Sequence, residues 1–208
     1  MAKQMAFYFD SSACTDCKAC MIACKDRADA PIGVKWRRVY QYAGGGWIKR
    51  DGTLVPNNIF SYSVSVACMH CANPLCTDVC PTKAIYKRAA DGVVLIDADK
   101  CIGCRYCEWA CPYGAPQFNE EIGVMTKCDF CEDLLAAGNN PACVDACVMR
   151  CLDFGELSEL REKYGDFNEI EPLPKSDITV PAFVVTPHPN TEVSGTGSGK
   201  LQTLPSEV

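Results

Sequence analysis

The 208-residue chain lacks most of what a membrane span, a nucleic-acid grip or an acid–base active site requires. No apolar run approaches the ~20 residues of a spanning helix, so no direct membrane span is expected. The opening segment MAKQMAFYFDSSAC has neither the basic start, the apolar stretch nor the small-residue cleavage site of a secretory leader. No apolar segment follows Arg37-Arg38 to make a twin-arginine signal. Lys and Arg number 20 against 26 Asp and Glu, a formal charge of −6, and the basic residues are scattered. Nucleic acid is therefore not an expected partner. The only histidines are His70 and His188, too sparse for an acid–base constellation, and no catalytic residue is expected. With 48% hydrophobic and 22% charged residues, the chain reads as soluble and folded rather than disordered.

Cysteine is abundant instead, with 17 residues. A core of its own, an odd cysteine count and the absence of a leader weigh against a disulfide scaffold. Sixteen of the cysteines fall into four groups of four. The first is Cys14, Cys17, Cys20 and Cys24; the second Cys68, Cys71, Cys76 and Cys80. The third is Cys101, Cys104, Cys107 and Cys111; the fourth Cys128, Cys131, Cys143 and Cys147. Groups one and three have the C-x₂-C-x₂-C-x₃-C spacing of bacterial ferredoxins, and groups two and three add a following proline, Pro81 and Pro112. Groups two and four lengthen the middle gap to four and eleven residues. In group four that gap contains Gly138-Asn139-Asn140-Pro141, a turn signal. A lone tetrahedral Zn²⁺ needs only two close pairs at about 2.3 Å. Three cysteines in one short loop suit a cubane, whose irons occupy separate corners. Four [4Fe–4S] clusters is the reading, with zinc second.

In two-cluster ferredoxins the fourth cysteine of one group ligates the other cluster. Applied here, groups two and three exchange: Cys68, Cys71, Cys76 and Cys111 hold one cluster, and Cys80, Cys101, Cys104 and Cys107 its neighbour. The outer groups pair across them: Cys14, Cys17, Cys20 and Cys147 hold one, and Cys24, Cys128, Cys131 and Cys143 the other. Each group carries a small residue four positions past its last cysteine, namely Ala28, Ala84, Ala115 and Cys151. The expectation is a short helix beginning near that cysteine, with Cys151 packing as a small hydrophobe. Between groups two and three, Asp91-Gly92 signals a hairpin turn leading into a strand at Val93 to Ile96. Four oxidised clusters would take the charge to about −14. Lys18, Lys25, Lys83, Lys100, Arg105, Lys127 and Arg150, all within three residues of a ligand, are the expected offset.

Other features read more plainly. GTGSGK at 195–200 fails the phosphate-loop pattern, and Gly44-Gly45-Gly46 reads as a loop or hairpin end. Residues 25–67, with Trp36, Tyr40, Tyr42 and Trp47, read as inserted strands that offer a docking surface. Tyr106 and Trp109 read as core or cluster cover, and His70 as a non-ligand. GELSELREKYG at 155–165 reads as a helix with Leu157, Leu160 and Tyr164 on one face, a Glu159–Lys163 pair and Gly165 as its stop. The proline-rich stretch beyond about residue 170 cannot build its own core; it reads as disordered or as an arm that wraps a partner.

The runs CIGCRYCEWACPYGAPQF, MTKCDFC, PACVDAC and LDFGELSELREKYG resemble the iron–sulfur subunits of the dimethyl sulfoxide reductase family, with similarity from Phe7 to the Pro-Leu-Pro at 172–174. The resemblance implies the same ligand pairing. It further implies a non-catalytic electron-transfer subunit between a molybdopterin catalytic subunit and a quinol-oxidising membrane subunit, peripheral on the cytoplasmic membrane through those partners. The cluster of Cys14 would lie nearest the molybdenum and that of Cys101 nearest the membrane. Cys104, where related nitrate reductase subunits carry tryptophan, implies a full cubane. Val148 and Cys151 depart from the proline and alanine usual in the family. The implied acceptor is dimethyl sulfoxide or a related S- or N-oxide; the alternative is polysulfide, tetrathionate or another oxyanion. The expected fold is α+β: two ferredoxin-like 2[4Fe–4S] modules, one inserted in the other, with an extended C-terminal arm. The boundaries are 1–57 (first part of the outer module), 58–117 (inner module), 118–166 (second part of the outer module) and 167–208 (arm).

Overall fold

The computed structural model describes residues 3–203. Its central sheet is built on β1 (Met5–Asp10), a continuous apolar run buried on both faces, as such runs are when elements cover both sides. Alternation along β1 separates two packing layers. Phe7 and Phe9 enter the main core, whereas Ala6 and Tyr8 face the opposite side.

The remaining elements follow in chain order. Helix α1 (Ala19–Arg27) leads to the long hairpin β2 (Arg38–Arg50) and β3 (Thr53–Val66). Next come α2 (Leu75–Asp78), β4 (Ile85–Lys87), β5 (Val94–Ile96) and α3 (Tyr106–Ala110). The hairpin β6 (Gln117–Asn119) and β7 (Val124–Thr126) precedes α4 (Glu132–Ala136) and α5 (Ala142–Asp145). The chain closes with β8 (Leu152–Glu156), α6 (Leu157–Tyr164), β9 (Phe183–Thr186) and β10 (Lys200–Leu201). The mixture is α+β, and each of the four sheets among the described residues has only two or three strands.

The central sheet has the order β8-β1-β9, antiparallel on one side and parallel on the other. Helix α6 covers its far face through Leu157, Leu160 and Tyr164, the face read from sequence, and stops at Gly165. Tyr164 stacks on Tyr8 at 3.6 Å between ring centroids. Lys163 pairs with Asp153 at 3.0 Å rather than with Glu159, because β8 brings that carboxylate alongside the helix.

Over residues 167–203 the C-terminal arm is extended and lies along the chain's own body. Ile170 is fully buried, and β9 supplies the parallel edge of the central sheet with Phe183, Val184 and Val185 buried. The arm uses a core assembled by distant segments, so its composition does not reveal its order. Its glycines at 195 and 197 donate backbone N–H groups to Glu171 Oε1 at 2.6 and 3.0 Å. A carboxylate of this chain thus holds the amides that the GTGSGK string offers.

The hairpin β2–β3 runs from Arg38 opposite Val66 to Arg50 opposite Thr53, turning at Asp51-Gly52, both with positive φ. Gly44-Gly45-Gly46 is not a hairpin end but a bulge within β2. Gly45 has φ +86°, and a Cβ there would meet Asn58 O at 2.1 Å, so only glycine allows the strands to close. Hairpin β4–β5 forms as read, with Gly92 in the left-handed region of its turn.

Candidate iron–sulfur centres

Each cysteine group has the same local build. The first two cysteines lie in an irregular loop and the third on a short helix; the fourth lies within α1 in group one and one or two residues past the helix in the other three. In every group the helix begins one residue before the third cysteine instead of near the fourth. The x₃ spacing places the third and fourth cysteines on one helical face. In group four the long gap is taken up by α4 and an exposed turn.

The residue before the second cysteine is left-handed in every group: Asp16 (φ 58°), His70 (41°), Gly103 (68°) and Phe130 (64°). Three positions past the fourth cysteine, Lys83, Gly114 and Arg150 are left-handed as well. Such turns aim successive backbone N–H groups into a concavity that accepts anions, as at many iron–sulfur sites. L-residues enter this region at a cost of about 1–2 kcal/mol each, so its recurrence marks a shared requirement.

Tertiary packing brings fourth cysteines to foreign groups. Helix α1 packs on α5, and α2 on α3. Cys111 neighbours Cys68, Cys71 and Cys76 closely enough for mutual electrostatic repulsion. Cys24 stands in the same relation to Cys128, Cys131 and Cys143. Cys14, Cys17, Cys20 and Cys147 line one pocket. Cys80 shares a buried cluster with Cys107, with Cys101 at its edge, and Cys101 and Cys104 neighbour Cys107. Among the described residues no three Cys, His, Asp or Glu side chains gather closely enough to hold one metal ion.

Burial pushes the Cys24 thiol up to about 12 and those of Cys71 and Cys107 up to about 11. Thiolates held here need nearby positive charge or N–H donors. Both are present. Ala115 N–H donates to Cys111 Sγ at 3.4 Å, and Met125 N–H to Cys101 Sγ at 3.4 Å. Burial raises Cys80, but N–H groups of Ile85 and Ala84 and the Thr82 hydroxyl outweigh it and lower its pKa. The small residue four positions past the last cysteine now has a cause in two groups: its backbone approaches that sulfur. Cys151 is buried as read, but its Sγ also lies 3.3 Å from Cys147 Sγ, and it hydrogen-bonds Cys14.

Of the seven lysines and arginines expected to offset charge, only Lys127 is buried, bonded to the carbonyls of Val94 and Cys128. Lys100 pairs with Asp97, and Arg105 with Glu108, at the surface. The sequence reading missed Arg37 and Arg38, which are 2% and 9% exposed. Arg38 donates to Tyr113 O at 2.6 Å, beside Cys111. Both lie outside every cysteine motif; the one signal is a pair of arginines between Trp36 and Val39 at a strand start. The Nε and Nη2 of Arg37 are buried with no partner among the described residues, a cation that fits an anionic group nearby.

His70 is fully buried and neutral, its pKa driven down by desolvation and Lys127. Nδ1 accepts from Val94 N–H at 3.0 Å, which leaves the proton on Nε2. Tyr106 and Trp109 are exposed rather than core, because α3 turns only Cys107 fully inward.

The sulfur-lined sites, anion-accepting turns and buried cations define an iron–sulfur protein. Residues 59–157 match the family model of the 4Fe-4S dicluster domain, which takes in groups two to four. The chain is 50% identical to the B subunit of anaerobic dimethyl sulfoxide reductase of Escherichia coli over 208 residues, the whole of both chains. It is 50% identical to the protein of that name from Haemophilus influenzae over 199 residues, 96% of this chain and 97% of the relative. To the thiosulfate reductase electron transfer subunit of Salmonella typhi it is 39% identical over 161 residues, 76% and 79% of the two chains. The chain belongs to the family of anaerobic dimethyl sulfoxide reductase B subunits, iron–sulfur proteins of electron transport. No helix among the described residues is long and apolar enough to cross a membrane.

Gly103 tests the turn requirement. A Cβ there would meet Gly123 O at 2.5 Å in a left-handed backbone. Gly103→Ala should cost at least about 1–2 kcal/mol and speed iron loss to a ferrous chelator. Gly46→Ala, with nothing within 4 Å of the added carbon, should release iron at the wild-type rate.

Proposed function

We propose that the chain is the electron-transfer subunit of a membrane-associated molybdopterin reductase and carries four [4Fe–4S] clusters. Electrons pass from a quinol-oxidising membrane subunit to a catalytic subunit that reduces dimethyl sulfoxide or a related S- or N-oxide. The ligand sets are Cys14, Cys17, Cys20 and Cys147; Cys24, Cys128, Cys131 and Cys143; Cys68, Cys71, Cys76 and Cys111; and Cys80, Cys101, Cys104 and Cys107. The first two belong to an outer ferredoxin-like module interrupted by an inner one that holds the others. The observation that carries this reading is the meeting of Cys111 with group two and of Cys24 with group four.

Bound cubanes supply one-electron redox chemistry. The chain's contribution is to hold the sulfurs in sequence and to shield them. Arg37 touches the fields of both outer sets, Cys128 neighbours Cys68, and Cys76, Cys80 and Cys107 share one buried cluster. These adjacencies support a single file from the set of Cys14 to the set of Cys101. The surface carrying Trp109 (74% exposed), Tyr106 and Ile102 beside that last set suits the subunit that delivers electrons. The likeness to a thiosulfate reductase electron transfer subunit favours a second reading, the same wire serving another sulfur-compound reductase.

Pull-down of this chain from native membranes under anaerobic conditions should recover a molybdopterin subunit and dimethyl sulfoxide-dependent oxidation of reduced viologen. A molybdopterin partner without that activity would move the assignment to the second reading, and recovery of neither would overturn the proposal. The ligand exchange has its own test. Cys24→Ser and Cys131→Ser should alter the same paramagnetic resonance signal and Cys14→Ser a different one. A signal shared by Cys24→Ser and Cys14→Ser would contradict the exchange.

A further inference from the structure

Arg37 precedes β2 and is buried inside the molecule, with its Cζ 4.7 Å from the centroid of the Phe7 ring. Its Nη1 donates to Ser65 Oγ at 3.1 Å, and Ser65 Oγ lies 3.5 Å from Cys20 Sγ. Nε and Nη2 have no partner among the described residues. No carboxylate pairs with this guanidinium in any ion pair found among the described residues. A permanently charged group left this way is costly unless an anion stands close by.

The cysteines around it come from two sets. Cys143, Cys128 and Cys24 belong to one proposed cluster and Cys20 to the other. Burial works against the guanidinium charge, and these four sulfurs outweigh it, raising its pKa.

We propose that Arg37, fixed by Ser65 and the Phe7 ring, is a shared counter-cation for the two outer clusters and raises the reduction potential of both. The inference rests on the ligand sets proposed above. Reduction adds a negative charge to a cluster, and a fixed cation beside it stabilises that added charge. One side chain thereby keeps two successive centres from becoming too reluctant to accept an electron. Ser65 acts on one side only, holding the guanidinium toward Cys20.

Redox titration followed by paramagnetic resonance, on the complex in native membranes, reads the midpoint of each cluster. Arg37→Gln should shift two midpoints to more negative values and leave the two of the inner module where they are. Arg37→Lys, which keeps the charge, should restore most of the shift. Unchanged midpoints, an equal shift of all four, or a Lys variant as displaced as the Gln variant would overturn the proposal. Should Arg37→Gln not assemble, Ser65→Ala decides, because it keeps the guanidinium and removes its tether. A shift that extends to the cluster on Cys24 and Cys143, which Ser65 does not touch, supports the role; a shift confined to the cluster on Cys20, which loss of the Ser65 hydroxyl alone would give, or four unshifted midpoints refute it. Failure of the underlying reading is seen separately, as a resonance signal shared by Cys24→Ser and Cys14→Ser for the ligand sets and as fewer than four cluster signals in the wild-type protein for the cluster number.

Discussion

Everything in this molecule answers to the need to surround buried sulfur with N–H groups and positive charge. Sulfur that carries charge away from water is tolerated only with such partners. The left-handed residue before each second cysteine serves that need at the backbone level, whether the residue is Asp16, His70, Gly103 or Phe130. Three of the four are residues for which this conformation is strained. The fold accepts that strain in group after group, which makes the turn the shared element of the repeat and the side chain its variable part.

The same need organises the tertiary structure. In the proposed ligand sets a short loop presents three sulfurs and another segment supplies the fourth. Packing of α1 on α5 and of α2 on α3 brings those segments together. The ion pair of Arg27 with Asp129 at 2.8 Å fastens the end of α1 to the loop of group four. The central sheet then acts as the frame: β1 leads into group one, and β8 follows directly from group four. With β9 on its other edge, the arm closes a structure whose short helices and two-stranded sheets have little stability of their own.

Sequence exposes the parts whose signals are local. The spacing of the cysteines, the Asp91-Gly92 turn and the apolar face of α6 all rest on neighbours a few residues apart, and each has its counterpart in the structure. Asp51-Gly52 carries the same turn signal, but the glycine triplet at 44–46 competes with it as a hairpin end. What escapes depends on distant partners. Ile170 and Phe183 are core because β1 and Phe167 come to them, not because of their own surroundings in sequence. Arg37 escapes for the same reason. Proximity in sequence points to basic residues beside the ligands, most of which turn out to be surface groups, whereas the buried guanidinium arrives from the start of an inserted hairpin. Cys151 reads as filler from its position in the repeat; only the fold shows its sulfur against those of Cys147 and Cys14.

The central claim is that this chain houses four cubanes rather than zinc or a single dicluster pair. Quantifying iron, acid-labile sulfide and zinc in anaerobically purified protein tests it most directly. The account predicts iron and sulfide in equal amounts, four cubanes' worth of each per chain, with zinc negligible. Iron and sulfide for only two cubanes, or zinc without sulfide, would contradict it.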